Sequence, residues 1–384
     1  MGDKDMIFSN WSYPTEIRFG EGRIKELIEV CKLNNIKRPL FVTDNGLLKL
    51  EVTQQIIKKM KSKFACDVFS NVDANPTEEN LSRGVTAFKF GNHDGVIAFG
   101  GGSALDIGKL IAFMVPQSRS VWDFEDIGDW WKRALTDKVS AIIAIPTTAG
   151  TGSEVGRASV LTNSVSKEKK IIFHPKLLPS VVICDPALTL SLPRKITAGT
   201  GLDALAHCVE AYCAPSFHPM SHGIALEGAK LVKENLLKVY NDGNDLTARA
   251  HMMAAALMGA VAFQKGLGAI HAISHPVGAI FNSHHGLTNA VLMPYVLKFN
   301  SREIKEKITI MAEYLEIKNG FDGFLSFIDK LNSDLGVPKS LATFGVTLDD
   351  VDRIVEGAMQ DPSIGGNPKE LTIENLRSLI ISAI

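Results

Sequence analysis

Four short apolar runs in the first half of the chain constrain its fold more than any other feature. Pro39–Asp44 (PLFVTD), Gly95–Phe99 (GVIAF), Ala141–Ile145 (AIIAI) and Val181–Cys184 (VVIC) are largely apolar and bounded by Gly, Pro or Asp. A strand with one wet face would alternate apolar and polar residues. These runs do not, so both faces must be covered, as in a parallel sheet. Helical patterns lie between them, and that alternation predicts βαβ units. From about Leu188 strand-like runs become scarce and helical periodicity takes over, in Ala198–Ala214, Ser221–Tyr240 and Ala248–Phe263. The expectation is an α/β domain over residues 1–187 and an all-α domain over 188–384. The segment VWDFEDIGDWW (121–131) reads as a surface loop or lid.

Composition excludes several classes of function. The net charge is −1, so nothing favours nucleic acid or an acidic membrane surface as a partner. The five cysteines form no CxxC and are odd in number, which reads as reduced thiols. The start, MGDKDMIFSNWSYP, lacks the basic and apolar regions of a signal peptide, and no uninterrupted apolar run reaches bilayer length. The cytoplasm is the expected compartment.

Two loops follow predicted strands. Phe99-Gly100-Gly101-Gly102-Ser103 leads into the helical pattern IGKLIAFM. Glycines let backbone approach a pyrophosphate, and a helix start offers unpaired N–H groups and a positive dipole end. Ser103 can cap that helix or bond a phosphate oxygen. This is not G-x-G-x-x-G spacing, and a tight strand-to-helix turn would look the same. The second loop, Ile145–Glu154 (IPTTAGTGSE), is crowded with hydroxyls and glycines, and open α/β sheets bind ligands at such strand ends. Asp44 can accept from an adenosine ribose hydroxyl and repel a 2′-phosphate, favouring NAD over NADP. Equally, it can begin the turn Asn45-Gly46.

The helical half carries a metal-ligand pattern. Asp203 and His207 are four residues apart, as are His271 and His275, and His284-His285-Gly286 follows. Residues at i and i+4 share one helix face, so each pair can reach one cation. Imidazoles with a carboxylate suit Fe(II), Zn(II), Co(II) or Mn(II). Such a cation acts as a Lewis acid on a substrate oxygen, while a nicotinamide carries the hydride.

These motifs, from about Tyr13 to the C-terminus, resemble the iron-containing (group III) alcohol dehydrogenase family. The residues that carry the resemblance are Asn75-Pro76-Thr77, GGGSALDIGK (100–109), IPTTAGTGSEV (145–155) and DPALTLSLP (185–193). They continue with TGLDALAHCVEAY (200–212), GAIHAISHPVGA (268–279), HGLTNAVLMPYVLKFN (285–300) and NPKELT (367–372). The resemblance implies a Rossmann-like N-terminal domain, a helical C-terminal domain and a metal in the cleft between them. It implies metal ligands Asp203, His207, His271 and His285, with Fe(II) the family metal and Zn(II) the alternative. His275 matches the family's histidine beside the nicotinamide, a candidate to relay the alcohol proton. NAD contacts would come from Asp44, Asn75, Gly101, Gly102, Ser103, Thr147, Thr148, Thr151 and Lys169. A homodimer is implied at the same level.

Three departures bear on the site. His284 stands where the family usually has Pro, although the following glycine favours His285 as the ligand. Gly156-Arg157 follows GSEV, where family members typically have Thr. Phe263-Gln264-Lys265-Gly266-Leu267-Gly268 is one residue shorter than the usual stretch and carries a lysine. Arg157, Lys265 and Phe263 are therefore expected at the substrate pocket, with the two cations binding an anionic group; equally, both cations can be solvated at the surface. A short primary alcohol or aldehyde is the expected substrate, of the phosphonoacetaldehyde or semialdehyde type if anionic. The alternatives are a metal- and NAD-dependent lyase of the dehydroquinate synthase type, which gives no net NADH, and a non-enzymatic metal-binding protein.

Overall fold

The four apolar runs are the inner strands of one parallel sheet. In the computed structural model, which describes residues 15–384, they are β2 (Pro39–Val42), β4 (Gly95–Gly100), β5 (Ala141–Pro146) and β8 (Val181–Cys184). Two short strands complete the sheet at its edges: β1 (Glu16–Phe19) beside β8 and β3 (Asp67–Phe69) beside β2. The order is β1-β8-β5-β4-β2-β3. A separate antiparallel hairpin pairs β6 (Ala158–Asn163) with β7 (Glu168–Phe173).

The described residues fall into two compact units, 15–191 and 192–384. In the first, helices α1 (Leu27–Leu33), α2 (Asn45–Leu48), α3 (Glu51–Lys61), α4 (Glu78–Phe90) and α5 (Gly102–Met114) accompany the strands. Phe41, Ile97, Phe99, Ile143, Ile145 and Ile183 from the sheet pack with Leu27, Val30, Ile57 and Met60 from α1 and α3. Helix α5 lies directly on β4 because Gly108 has no side chain: a Cβ there would fall 2.5 Å from the Cβ of Ala98. The segment 121–131 is anchored rather than loose at its start. Phe124 is fully buried, its ring 5.1 Å from that of Phe113 and edge-on to it.

From β2 the chain steps outward to β3, then crosses back to β4 and continues through β5. The progression reverses between β2 and β4, and in open α/β sheets ligands bind outside the strand C-termini at such a point. Asp44 and the glycine loop follow those two strands. The loop after β5 is tied to α5 by buried charge. Lys109 is fully buried; its Nζ donates to the carbonyls of Ser153 (2.9 Å) and Ala158 (2.5 Å) and pairs with Asp106 at 3.2 Å. Asp106 in turn accepts from Ser153 Oγ (2.5 Å) and Val160 N–H (3.0 Å).

The second unit is helical: α6 (Arg194–Cys213), α7 (Pro219–Asn241), α8 (Leu246–Ala262), α9 (Ala269–Phe281), α10 (His285–Phe299), α11 (Ser301–Tyr314), α12 (Gly320–Asp334), α13 (Val351–Gln360) and α14 (Ile373–Ala383). Helix α6 is buried almost all round, with α7, α8 and α10 against it. The stretch Leu246–Lys265, α8 with the turn after it, is long and apolar enough to cross a membrane by length and composition, although Arg249 and His251 interrupt its apolar run. Its apolar window is 61% buried within the unit, so that surface is spent on packing against α6 and α7.

Removing the ammonium by Lys109→Met would leave Asp106 and two carbonyls buried without their partner. Such a loss costs about 3–5 kcal/mol, and urea unfolding of the variant should show it. A change below about 1 kcal/mol, the range of exposed pairs, would mean that the pair is screened by solvent.

Candidate metal centre and nucleotide loops

In the first unit, the glycine loop and the hydroxyl-rich loop are in contact. Gly100 adopts a φ of +150°, and a Cβ there would fall 2.7 Å from the Cβ of Ala104, so the strand-to-helix turn needs glycine. Gly101 caps α5 without a side chain, leaving the first N–H groups of the helix to other partners. Thr147 N–H donates to Gly100 O at 3.0 Å. Thr148 and Thr151 stand over Gly101 and Gly102, where added Cβ atoms would come within 3.3 and 2.9 Å of them. Ser103 neither caps the helix nor is left free to donate, since its Oγ donates to Ala74 O at 2.6 Å and ties the loop to the segment holding Asn75. Asp44 is a turn residue: its Oδ1 accepts from Gly46 (2.8 Å) and Leu47 (2.9 Å) N–H. Its Oδ2 faces the glycine loop, 3.8 Å from where a Cβ on Gly100 would sit. Lys169 lies on β7, opposite Thr162 of β6.

In the second unit, α6, α9 and α10 bring one carboxylate and three imidazoles together. Asp203, 2% exposed, points Oδ1 at Nε2 of His207 (3.7 Å), His271 (3.6 Å) and His285 (3.5 Å). Burial alone would raise the Asp203 carboxyl, but His207, His285 and His271 outweigh it and hold the group well below the carboxylate range. Burial pushes His207 down to about 4. His271 moves the other way, to about 10: burial would lower it, but Glu210 and Asp203 on either side more than compensate. His284 is not part of the cluster. It caps α10, its Nδ1 accepting from Leu287 N–H at 3.4 Å, which leaves His285 as the histidine that faces Asp203.

Three residues at this centre lie outside the set expected from sequence. Glu210 Oε2 meets His271 Nδ1 at 2.6 Å. Asn289 donates to Asp203 Oδ1 at 2.8 Å and stands 3.2 Å from Nε2 of both His271 and His285. Asp361 meets His275 Nδ1 at 2.6 Å. Glu210 is three residues after His207 and Asn289 four after His285, so helical spacing carried a signal for both. Asp361 arrives from 86 residues away with no local signal.

The donor set fits a cation. With Glu210 accepting the Nδ1 proton, Nε2 of His271 turns a lone pair toward the Asp203 carboxylate, and two acceptors facing each other are stable only around a proton or a metal. Ligands of a tetrahedral centre at about 2.0–2.2 Å stand about 3.4 Å from one another, close to the separations between Asp203 and the histidines. The carboxylate holding the far nitrogen of His271 is the usual partner of a metal-bound imidazole.

The residues expected at a substrate pocket are placed differently. Phe263 packs on a candidate ligand, its ring 5.0 Å from that of His207. Arg157 lies over the Phe173 ring at 5.5 Å. Lys265 is a correction: it is 6% exposed, and its Nζ donates to the carbonyls of Tyr212 (3.1 Å) and Ala214 (2.5 Å) at the end of α6. Two of its donors are thus spent on the helix end.

Residues 14–186 match the family described as iron-containing alcohol dehydrogenase, and residues 197–384 match its C-terminal counterpart. The chain belongs to the iron-containing alcohol dehydrogenase family. It is therefore an oxidoreductase of that family, and the lyase alternative is not favoured. A 4-hydroxybutyrate dehydrogenase of Cupriavidus necator is 36% identical over 378 residues, covering 96% of this chain and 98% of the relative. The NAD-dependent methanol dehydrogenase of Bacillus methanolicus is 31% identical, covering 98% of this chain and all of the relative. Among solved structures, sulfoacetaldehyde reductase from Bifidobacterium kashiwanohense in complex with NAD+ matches with a TM-score of 0.89 and 29% identity, covering 98% of this chain and 99% of that one.

Because His271 is held protonated up to about 10, metal must displace that proton to bind. The metal-free form is thus favoured at low pH, and Zn(II) affinity should rise about tenfold per pH unit between about pH 7 and 9. Chelator competition across that range measures it, and a flat profile would contradict the raised His271. His271→Ala should lose most of the bound metal and nearly all turnover in the same assays.

Proposed function

We propose that the chain is an NAD(H)-dependent, metal-dependent alcohol dehydrogenase that works as an aldehyde reductase in reverse. The observation that carries this reading is the convergence of His207, His271 and His285 on the buried Asp203, in a chain that also holds a glycine loop against a hydroxyl-rich loop at a sheet reversal.

The loops divide the work of holding the nucleotide. Gly101 and Gly102 open the backbone at the start of α5 to the pyrophosphate, and its uncapped N–H groups meet the phosphate charge. Thr147, Thr148 and Thr151 supply hydroxyls beside them, Ser103 fixes the loop through Ala74, and Asn75 and Lys169 flank it in this reading. Asp44 keeps one oxygen for its turn and presents the other to a ribose hydroxyl, which favours NAD over NADP.

The four ligands hold a divalent first-row cation, Fe(II) by family and Zn(II) as the alternative. Bound there, it supplies Lewis acidity to the substrate oxygen, and the nicotinamide supplies or takes the hydride. His275 exchanges the alcohol proton. Asp361 holds its Nδ1 at 2.6 Å, so the ring is fixed and Nε2 is the nitrogen left to exchange.

We take the substrate to be a short primary alcohol or aldehyde, with an anionic one favoured. The C. necator and B. kashiwanohense relatives are named for substrates that carry a carboxylate and a sulfonate, although the B. methanolicus relative is named for neutral methanol. Arg157 is the cation left to meet such a group once Lys265 is assigned to its helix end. The resemblance also implies a homodimer, and sedimentation at the mass of one chain would rule out the dimer.

The test is NADH oxidation, followed by absorbance, with matched neutral and anionic aldehydes on protein refilled with Fe(II) or Zn(II). Metal-dependent oxidation is expected, faster with anionic members and losing that preference in Arg157→Ala. No oxidation with any aldehyde and either metal would overturn the dehydrogenase reading. Equal kcat/KM for matched pairs would remove Arg157 from it. In the same assay Asp44→Ala should narrow the preference for NADH over NADPH, and an unchanged ratio would leave Asp44 a turn residue alone.

A further inference from the structure

Glu210 sits on α6 seven residues after Asp203 and three after His207, and it is 6% exposed. Both of its oxygens are used by α9. Oε1 accepts the Ile270 N–H at 2.7 Å, and Oε2 meets His271 Nδ1 at 2.6 Å. Ile270 is the second residue of α9, so its N–H is one of the helix-start donors that no helix carbonyl can satisfy. The approach is close because residue 268 is glycine: a Cβ there would fall 3.1 Å from Oε1.

This arrangement has a chemical consequence. An N–H of the main chain can be met only by an acceptor, so the Ile270 contact sets which way the carboxylate faces. The second oxygen is then an acceptor aimed at His271 Nδ1, which places the imidazole proton there. Nε2 is then the nitrogen that faces Asp203, 3.6 Å away, and the one that gives up its proton when a cation takes its place.

We infer that Glu210 is a positioning residue that locks His271 in its Nδ1–H tautomer and so keeps Nε2 open to a divalent cation. This rests on the reading of the site as a metal centre. Glu210 touches neither substrate nor reacting atoms; it acts through His271. Other carboxylates that hold a metal-bound histidine change metal affinity by about 10–100-fold when removed.

The amide variant separates this role from simple packing. In Glu210→Gln the Ile270 N–H still demands an acceptor, so the amide oxygen must stay there and the amide NH2 must face His271 Nδ1. That donor forces Nδ1 to accept and moves the ring proton to Nε2, where it blocks the cation. Glu210→Ala removes the lock but leaves either tautomer accessible. Zn(II) affinity, read by chelator competition, should therefore fall in the order native, Glu210→Ala, Glu210→Gln, with a loss of about 10–100-fold for Ala and at least that for Gln. Gln binding Zn(II) more tightly than Ala would show that shape and the helix cap are what matter, and would overturn the proposal. A native protein that binds no Zn(II) would overturn the metal reading itself, a distinguishable result. Should the Gln variant not fold, nitrogen-15 spectra of histidine-labelled, Zn(II)-loaded native protein decide the matter. A proton on Nδ1 of His271 supports the lock, and one on Nε2 refutes it.

Discussion

A carboxylate buried almost completely from water must find a positive partner, and in this chain the partner of Asp203 dictates how three helices meet. An isolated ionised group in a protein interior is unfavourable by far more than the net stability of a domain, so it persists only when paired. Asp203 is on α6, yet two of the three imidazoles that face it belong to α9 and α10. The close approach of α10 is built in at Gly286, where a Cβ would fall 1.9 Å from the Gly199 carbonyl oxygen of α6. The histidines bring their own difficulty, since burial disfavours a charged imidazole, as at His207. Glu210 and Asn289 supply the remaining contacts. The helical unit thus brings three helices together around one point of charge.

The α/β unit solves the opposite problem, leaving polar backbone accessible for a ligand. Its strands are apolar on both faces, so nothing charged can be accommodated along them, and function is displaced to the loops beyond their carboxyl ends. Loops of that kind are soft unless something holds them. Here Lys109 and Asp106, set one turn apart inside α5, bind the carbonyl of Ser153, its hydroxyl and the start of β6. The helix whose N-terminus faces the proposed phosphate is therefore the same helix that anchors the neighbouring loop, and the two loops hold their spacing through one element.

What was legible in the sequence follows from the range of the interactions involved. The inner strands announced themselves because burial on two faces leaves uninterrupted apolar runs. The edge strands did not, since β1 and β3 are three or four residues long and their short runs are broken by Glu16, Arg18 and Asp67. The pairing of Asp203 with His207 was legible because a helix places residues four apart on one face. Glu210 and Asn289 obey the same spacing but were hidden by residue type, as a Glu or Asn on a helix more often faces water. Asp361 had no local signature at all. Ser103 was read for its hydroxyl, which the fold spends on Ala74 instead.

Lys265 is the most instructive case, because a lysine in a stretch that departs from the family pattern looked like a substrate determinant. Its surroundings argue otherwise. Burial, and then the charge of Lys307, push its ammonium down to about 7, which a surface cation awaiting an anion would not show. Lys307 donates from its own side to the carbonyls of Cys213 and Ala214, both at 3.0 Å. Two like charges tolerate one another here because three carbonyls at the C-terminal end of α6, where the helix dipole is negative, lie between them. The last turn of α6 carries Glu210, and the turns before it carry His207 and Asp203. A residue that departs from the family pattern is thus spent on the end of the helix that carries Asp203, His207 and Glu210.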